Sequence, residues 1–284
     1  MRRYVEEARI GLGRLLGDDK QVRILQEELA EERRKRERLQ EQNRRLKRRA
    51  QATARSGGRG GRDLQVGGLR FGDFRRLEPI SRDFGLDRGK PIDRYYIEGF
   101  LARHAEDIAG RVLEIKDSGL TRKYGGGRVT VSDVLDIDES NRRATIVADL
   151  TRAEDVPSNM FDCIICTQTL HFIYDISSAV GTLQRMLKPG GTLLATFPGI
   201  GQTSCQMLDE QYSWALTTLS ARQLFEEAFP ATNFEVEAQG NVLAAVAFLE
   251  GLAVSELRKE ELDHRDPDYE VLISIRAVKP EASL

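Results

Sequence analysis

Cys163 and Cys166 stand at the Cys-x-x-Cys spacing of a redox pair, where a neighbouring thiol and a helix start would stabilise the thiolate. Their setting argues otherwise: both lie in the apolar run Phe161-Asp162-Cys163-Ile164-Ile165-Cys166, so buried and inert thiols are expected. With Cys205 there are three cysteines in all, too few for a disulfide framework. A zinc knuckle needs a second ligand pair that is missing, so no metal site is expected. His171 is the candidate general base, since imidazole titrates near neutrality; a structural histidine at the Tyr174-Asp175 turn is the competing reading. His104 and His264 have no partner nearby in sequence. Asp133 closes the run Val129-Thr130-Val131-Ser132-Asp133, and there it either presents two acceptor oxygens or caps the next turn.

Such side chains need a frame. From Asp93 onward, short β-branched runs alternate with helical stretches, the pattern of a parallel sheet covered on both faces. Seven strands are predicted, at 111–115, 129–133, 144–148, 161–166, 192–197, 234–237 and 269–277. Helices are predicted at 93–109, 176–187, 220–229 and 241–262, the second ending at Leu187-Lys188-Pro189-Gly190-Gly191, where proline cannot continue a helix.

The chain of 284 residues carries a net charge of -2, but unevenly. Residues 1–62 hold 19 Lys+Arg against 10 Asp+Glu, and the remainder 24 against 35. Ser56-Gly57-Gly58-Arg59-Gly60-Gly61 separates the two pieces. The expected organisation is therefore an N-terminal helix over 1–50, a Gly-rich linker and lead-in over 51–92, and an α/β domain over 93–284. Within the first, Val22, Leu25, Leu29, Leu39, Asn43 and Leu46 fall on the a and d positions of a heptad, which predicts a two-stranded coil and a homodimer. A single solvated helix held by pairs such as Glu32 with Arg36 is the alternative. The basic runs lack interleaved aromatics, so no nucleic-acid partner is expected. No apolar run approaches the ~20 residues that span a bilayer, and Met1 to Glu7 lacks a signal-peptide core; a cytoplasmic protein without a transmembrane segment is expected.

The block from Phe161 to Asp175, followed by Leu187-Lys188-Pro189-Gly190-Gly191-Thr192-Leu193-Leu194, resembles the class I S-adenosylmethionine-dependent methyltransferases of the small-molecule type. The stretch Phe84 to Glu98 looks like the lead-in of a bacterial subset of them. The resemblance implies a seven-stranded, mostly parallel Rossmann-like sheet with S-adenosylmethionine across the carboxyl ends of its first strands. It also implies roles: Asp133 for the ribose hydroxyls, Asp149 for the adenine amino group, Leu150 flanking the ring, and Gln168, Thr169 and His171 where cofactor and acceptor meet. Arg94, Tyr95 and Tyr96 open a helix that covers the pocket or simply packs on the sheet.

The first motif departs from the family pattern. Glu-x-Gly-x-Gly-x-Gly is expected after strand one; the chain has Glu114-Ile115-Lys116-Asp117-Ser118-Gly119-Leu120. Lys116 at the first glycine site fills the space of the methionine moiety or sets a positive charge near the sulfonium, and both oppose binding. Two functions follow: a methyltransferase for a small hydroxylated or sugar-like acceptor, or a scaffold that keeps the fold without the cofactor. Glu114, Lys116, Asp133, Asp149, Leu150 and Gln168 are the candidate cofactor residues, and His171 the candidate catalytic one.

Overall fold

A computed structural model describes residues 70–203 and 212–281; the predicted coil and Cys205 lie outside them. Asp73–Leu284 forms one compact unit. In chain order its regular elements are α1 (Ile92–Arg103), β1 (Gly110–Ile115), β2 (Val129–Asp136), β3 (Ile146–Val147), β4 (Phe161–Thr167), α2 (Ile176–Met186), β5 (Leu187–Pro198), α3 (Thr218–Glu226), β6 (Phe234–Gln239), α4 (Val242–Leu249), α5 (Lys259–Asp263) and β7 (Leu272–Val278). The seven strands form one sheet in the order β3-β2-β1-β4-β5-β7-β6. β1 to β5 pair in parallel and β7 runs antiparallel to its two neighbours.

Alternation along the central strands builds two cores, because successive side chains point to opposite faces. On β1 and β4, Leu113, Ile164 and Cys166 enter the layer under α2 and α3, with Phe161, Leu183, Phe197 and Phe225. Val112, Cys163 and Ile165 enter the other layer with Ile97, Phe100, Phe248 and Leu272. Each fully buried large side chain of this kind contributes about 1.5–3 kcal/mol. α2 is a helix of the amphipathic kind: Ile176, Ala179, Val180, Leu183 and Met186 are buried along one face, and Asp175 caps it by accepting from the Ser178 amide at 3.2 Å.

Several elements differ from the pattern in the sequence. β2 runs three residues past Asp133, to Asp136. The stretch predicted as one helix over 241–262 is broken, because Gly251 turns the chain at φ +70 and passes so close to Ser81 that a Cβ would lie 2.3 Å from its carbonyl oxygen. Between β1 and β2 there is one π turn and one 3-10 turn, and between β2 and β3 no helix; Val131, Ile137 and Val147 at that edge are exposed accordingly. The lead-in is strapped to the α4–α5 connection by Ser81 N to Glu250 O (3.0 Å), Val254 N to Lys90 O (2.8 Å), a bridge between Pro91 and Ala253, and the Arg88–Glu256 ion pair.

Candidate functional site

Strand order reverses between β1 and β4, and in sheets of this kind ligands sit beyond the carboxyl ends of the strands at such a point. The β1 tip is a tight turn. Glu114 is buried and turned inward, its carboxylate accepting from the amides of Leu120 (3.1 Å) and Thr121 (2.7 Å). Burial pushes its carboxyl above the ordinary range, against the pull of those hydrogen bonds. Lys116 follows with φ +69, the left-handed backbone that glycine adopts without strain. Its side chain is exposed. Its charge acts on Asp138, whose carboxyl is held below the usual range by the Ser140 hydroxyl and amide first and by Lys116 in addition. The expected filling of the methionine space by Lys116 is thus not what the turn shows: the backbone keeps the glycine conformation and the side chain faces solvent.

Asp133 is placed inside the sheet. It pairs with Leu113 in mid-strand, receives Arg111 Nε at 2.7 Å and accepts from Thr145 Oγ1 at 3.1 Å. The carboxylate at the end of β2 is Asp136, level with the β1 turn. It accepts from the Asp138 amide (3.2 Å) and from Asn141 Nδ2 (2.7 Å), while the same Asn141 nitrogen donates to the Lys116 carbonyl at 2.8 Å. Asp136 and Asn141 were legible only indirectly: Val134 and Leu135 continue the apolar run past Asp133 and mark the strand as unfinished.

Asp149 lies just beyond β3 and accepts from the Thr151 amide (2.9 Å) and hydroxyl (2.8 Å). Leu150, 4% exposed, belongs to the core with Leu135 and Val156. Gln168 leaves β4 with φ +48, its amide donating to the Thr196 carbonyl at 3.0 Å, so the turn after β4 is tied to β5. His171 sits on the 3-10 turn Leu170–Phe172 that follows. Only 4% of it is exposed, and burial pushes its pKa down to about 4. Asp175, and not His171, caps the next helix. The lead-in side chains Tyr95 and Tyr96 point instead to α5: their hydroxyls donate to Asp263 Oδ1 (2.5 Å) and the Leu262 carbonyl (3.0 Å).

The segment from the end of α1 into β5, residues 102–195, matches the family model for a methyltransferase domain. No curated protein matches the sequence. Among solved structures the chain is similar to the N-methyltransferase NodS from Bradyrhizobium japonicum in complex with S-adenosyl-L-homocysteine, at 15% identity over 68% of this chain and 90% of that one, TM-score 0.43. It is similar also to a SAM dependent methyltransferase from Archaeoglobus fulgidus, at 13% identity over 66% and 94%, TM-score 0.43. A third is phosphoethanolamine N-methyltransferase 2 from Haemonchus contortus, at 18% identity over 70% and 60%, TM-score 0.43. Within residues 102–195 the β1 turn, Asp136, Asn141 and Asp138 are joined by contact. Asp133 is separated from them by its place in mid-strand, and Leu150 by its place in the core.

Proposed function

We propose that this protein transfers a methyl group from S-adenosylmethionine to a small hydroxylated or sugar-like acceptor, with Asp136 rather than Asp133 binding the ribose. The observation that carries the reading is the Asp136 carboxylate at the carboxyl end of β2, about 20 residues past the β1 turn, where dinucleotide folds place the acid that receives ribose hydroxyls. The donor set fits such a cofactor. Asp136 and Asp149 offer acceptor oxygens to hydroxyls and to an amino group, and the left-handed Lys116 keeps the sharp turn that a close-lying ligand needs.

When bound, the cofactor supplies an electrophilic methyl group on a sulfonium. The protein's share is positioning: the turns after β1 and β4 hold the two reactants in line, which is the main source of rate in a displacement of this kind. His171, neutral at pH 7 because of its burial, takes the proton of an acceptor hydroxyl at its bare ring nitrogen. A homodimer through the Val22 to Leu46 heptad seam belongs to the same reading, and light scattering of the full chain tests it.

A second reading, a scaffold that keeps the fold without the cofactor, is favoured by the inward use of Glu114 and by the crossover between β1 and β2, which holds only a π turn and a 3-10 turn. Calorimetric titration of the full chain with S-adenosylmethionine and S-adenosylhomocysteine separates the two. The enzyme reading expects binding that falls roughly tenfold or more in Asp136→Ala, since a hydrogen bond to a charged group is worth about 1.5–3 kcal/mol. Asp133→Ala should lower stability and leave affinity nearly unchanged. Absence of binding by the unaltered chain leaves the scaffold in possession.

A further inference from the structure

The side of α1 opposite its buried residues Ile97 and Leu101 borders a groove of about 550 Å³, within the size range of small-molecule sites. Tyr95, Gly99 and Arg103 of α1 line it, with Tyr124 of the β1–β2 connection, Gly240 just past β6 and Arg265 after α5. Asp136, Asn141, Gln168 and His171 are not among its lining residues. Helical spacing accounts for the floor. Positions 95, 99 and 103 recur every four residues and share one face, and the middle one has no side chain. Beyond the backbone around it, a Cβ on Gly99 would meet only Arg103 Nη1, at 3.9 Å, so the space over that turn is open.

The charges around the groove are unequally used. Its two lining carboxylates are each taken twice. Glu98 accepts from Lys90 Nζ at 2.7 Å and pairs with Lys123 Nζ at 3.0 Å, while Asp263 accepts from the Tyr95 hydroxyl and from Lys259. The two guanidiniums keep donors to spare. Arg103 reaches Glu237 through Nη2 at 3.1 Å and has its Nη1 beside the open space at Gly99. Arg265 has no hydrogen bond or ion pair among the described residues. An arginine carries five N–H donors in a planar fork that matches two oxygens of an oxyanion. The Tyr95 and Tyr124 rings add flat apolar surface to the same groove.

We infer that the groove along α1 is a binding site for a phosphate monoester of a ring compound, with the phosphate held by Arg103 and Arg265 and the ring against Tyr95 and Tyr124. Two guanidiniums match the charge of nearly -2 that a phosphate monoester carries at neutral pH. A cationic ligand has no such place, because the carboxylates that would receive it already hold Lys90, Lys123 and Lys259. The site is separate from the residues assigned to S-adenosylmethionine and does not rest on the proposed function.

Calorimetric titration of the full chain with phenyl phosphate tests it. Saturable binding is expected, weaker by about tenfold or more in Arg265→Ala, a substitution that removes no contact among the described residues. Inorganic phosphate should bind severalfold more weakly than phenyl phosphate. In Gly99→Leu the new side chain enters the groove, so binding should be lost while the thermal unfolding midpoint is kept or raised, leucine being the better helix former. The site is overturned if no saturable binding appears, if affinity is unchanged in Arg265→Ala or Gly99→Leu, or if inorganic phosphate binds as tightly as phenyl phosphate. A lowered midpoint in Gly99→Leu overturns it too, because the protein itself would then fill the space. Titration in the presence of S-adenosylhomocysteine separates the groove from the cofactor site: phenyl phosphate binding should persist, and its loss by competition would place the anion at the cofactor site and overturn the groove.

Discussion

Asn141 and Asp136 share one short hydrogen bond, Nδ2 to Oδ2 at 2.7 Å, and through the second hydrogen of the same amide Asn141 also holds the Lys116 carbonyl at 2.8 Å. The tips of β1 and β2 are thus fastened by a side chain from the loop after β2. This is the work that a longer crossover helix would otherwise share, and the β1–β2 connection of this chain has only single turns.

Asn141→Ala should lower stability by about 1–2 kcal/mol, the cost of leaving the Lys116 carbonyl and one carboxylate oxygen without their donor. Denaturant titration followed by circular dichroism reads it. The carboxylate would also lose its fixed orientation, so affinity for S-adenosylhomocysteine should fall severalfold. An unchanged midpoint would show that water replaces the amide at no cost.

Lys116→Gly acts on the backbone first. A non-glycine residue at φ +69 carries strain of about 1 kcal/mol or more, part of which is offset by the greater chain entropy of glycine when unfolded. The expected net effect is a gain of a few tenths to about 1 kcal/mol in urea unfolding. Because the lysine side chain is exposed and opposed by Asp138, the ratio of S-adenosylmethionine to S-adenosylhomocysteine affinity should move by less than about threefold, screening being strong at an exposed site. A tenfold change would put the ammonium inside the site after all.

His171 makes stability depend on pH in a defined window. Its folded pKa is about 4, below the unfolded value of 6.5, so between those two values the unfolded chain binds more protons and stability rises with pH. The contribution is full above pH 6.5 and is lost as pH falls toward 4, to a limit of about 3 kcal/mol. In His171→Asn the slope of unfolding free energy between pH 4.5 and 6.5 should be shallower by up to one proton. Equal slopes in the two proteins would place a charged or solvated imidazole at this position.

Cys163 and Cys166 should be silent toward a thiol reagent in the native protein. Both are fully buried, and desolvation raises both thiols, Cys166 to about 12. Mass spectrometric mapping after brief alkylation should find both unmodified until denaturant is added. Rapid native modification of either would show that β4 opens.

The sequence by itself determined the alternating layers, the buried β4 with its quiet cysteines, and the helix that Pro189 forces to end. These follow from local periodicity and from turn residues, which act over a few neighbours. It also carried the signs of a methyltransferase in the blocks around Phe161 and Leu187. Where the site lies in detail was decided only by tertiary structure. A strand end depends on its partners, and pairing with β1 carried β2 past Asp133, so the half-buried Arg111–Asp133 pair serves the sheet and Asp136 stands at the end of β2, level with the β1 turn. The break in the helix predicted over 241–262 depends on Ser81, 170 residues away from Gly251 in the chain. The approach of Tyr212 to His171 is likewise a long-range contact, set by backbone hydrogen bonds whose donors and acceptors every residue possesses. No residue type announces such a contact, because the groups that make it are common to the whole chain.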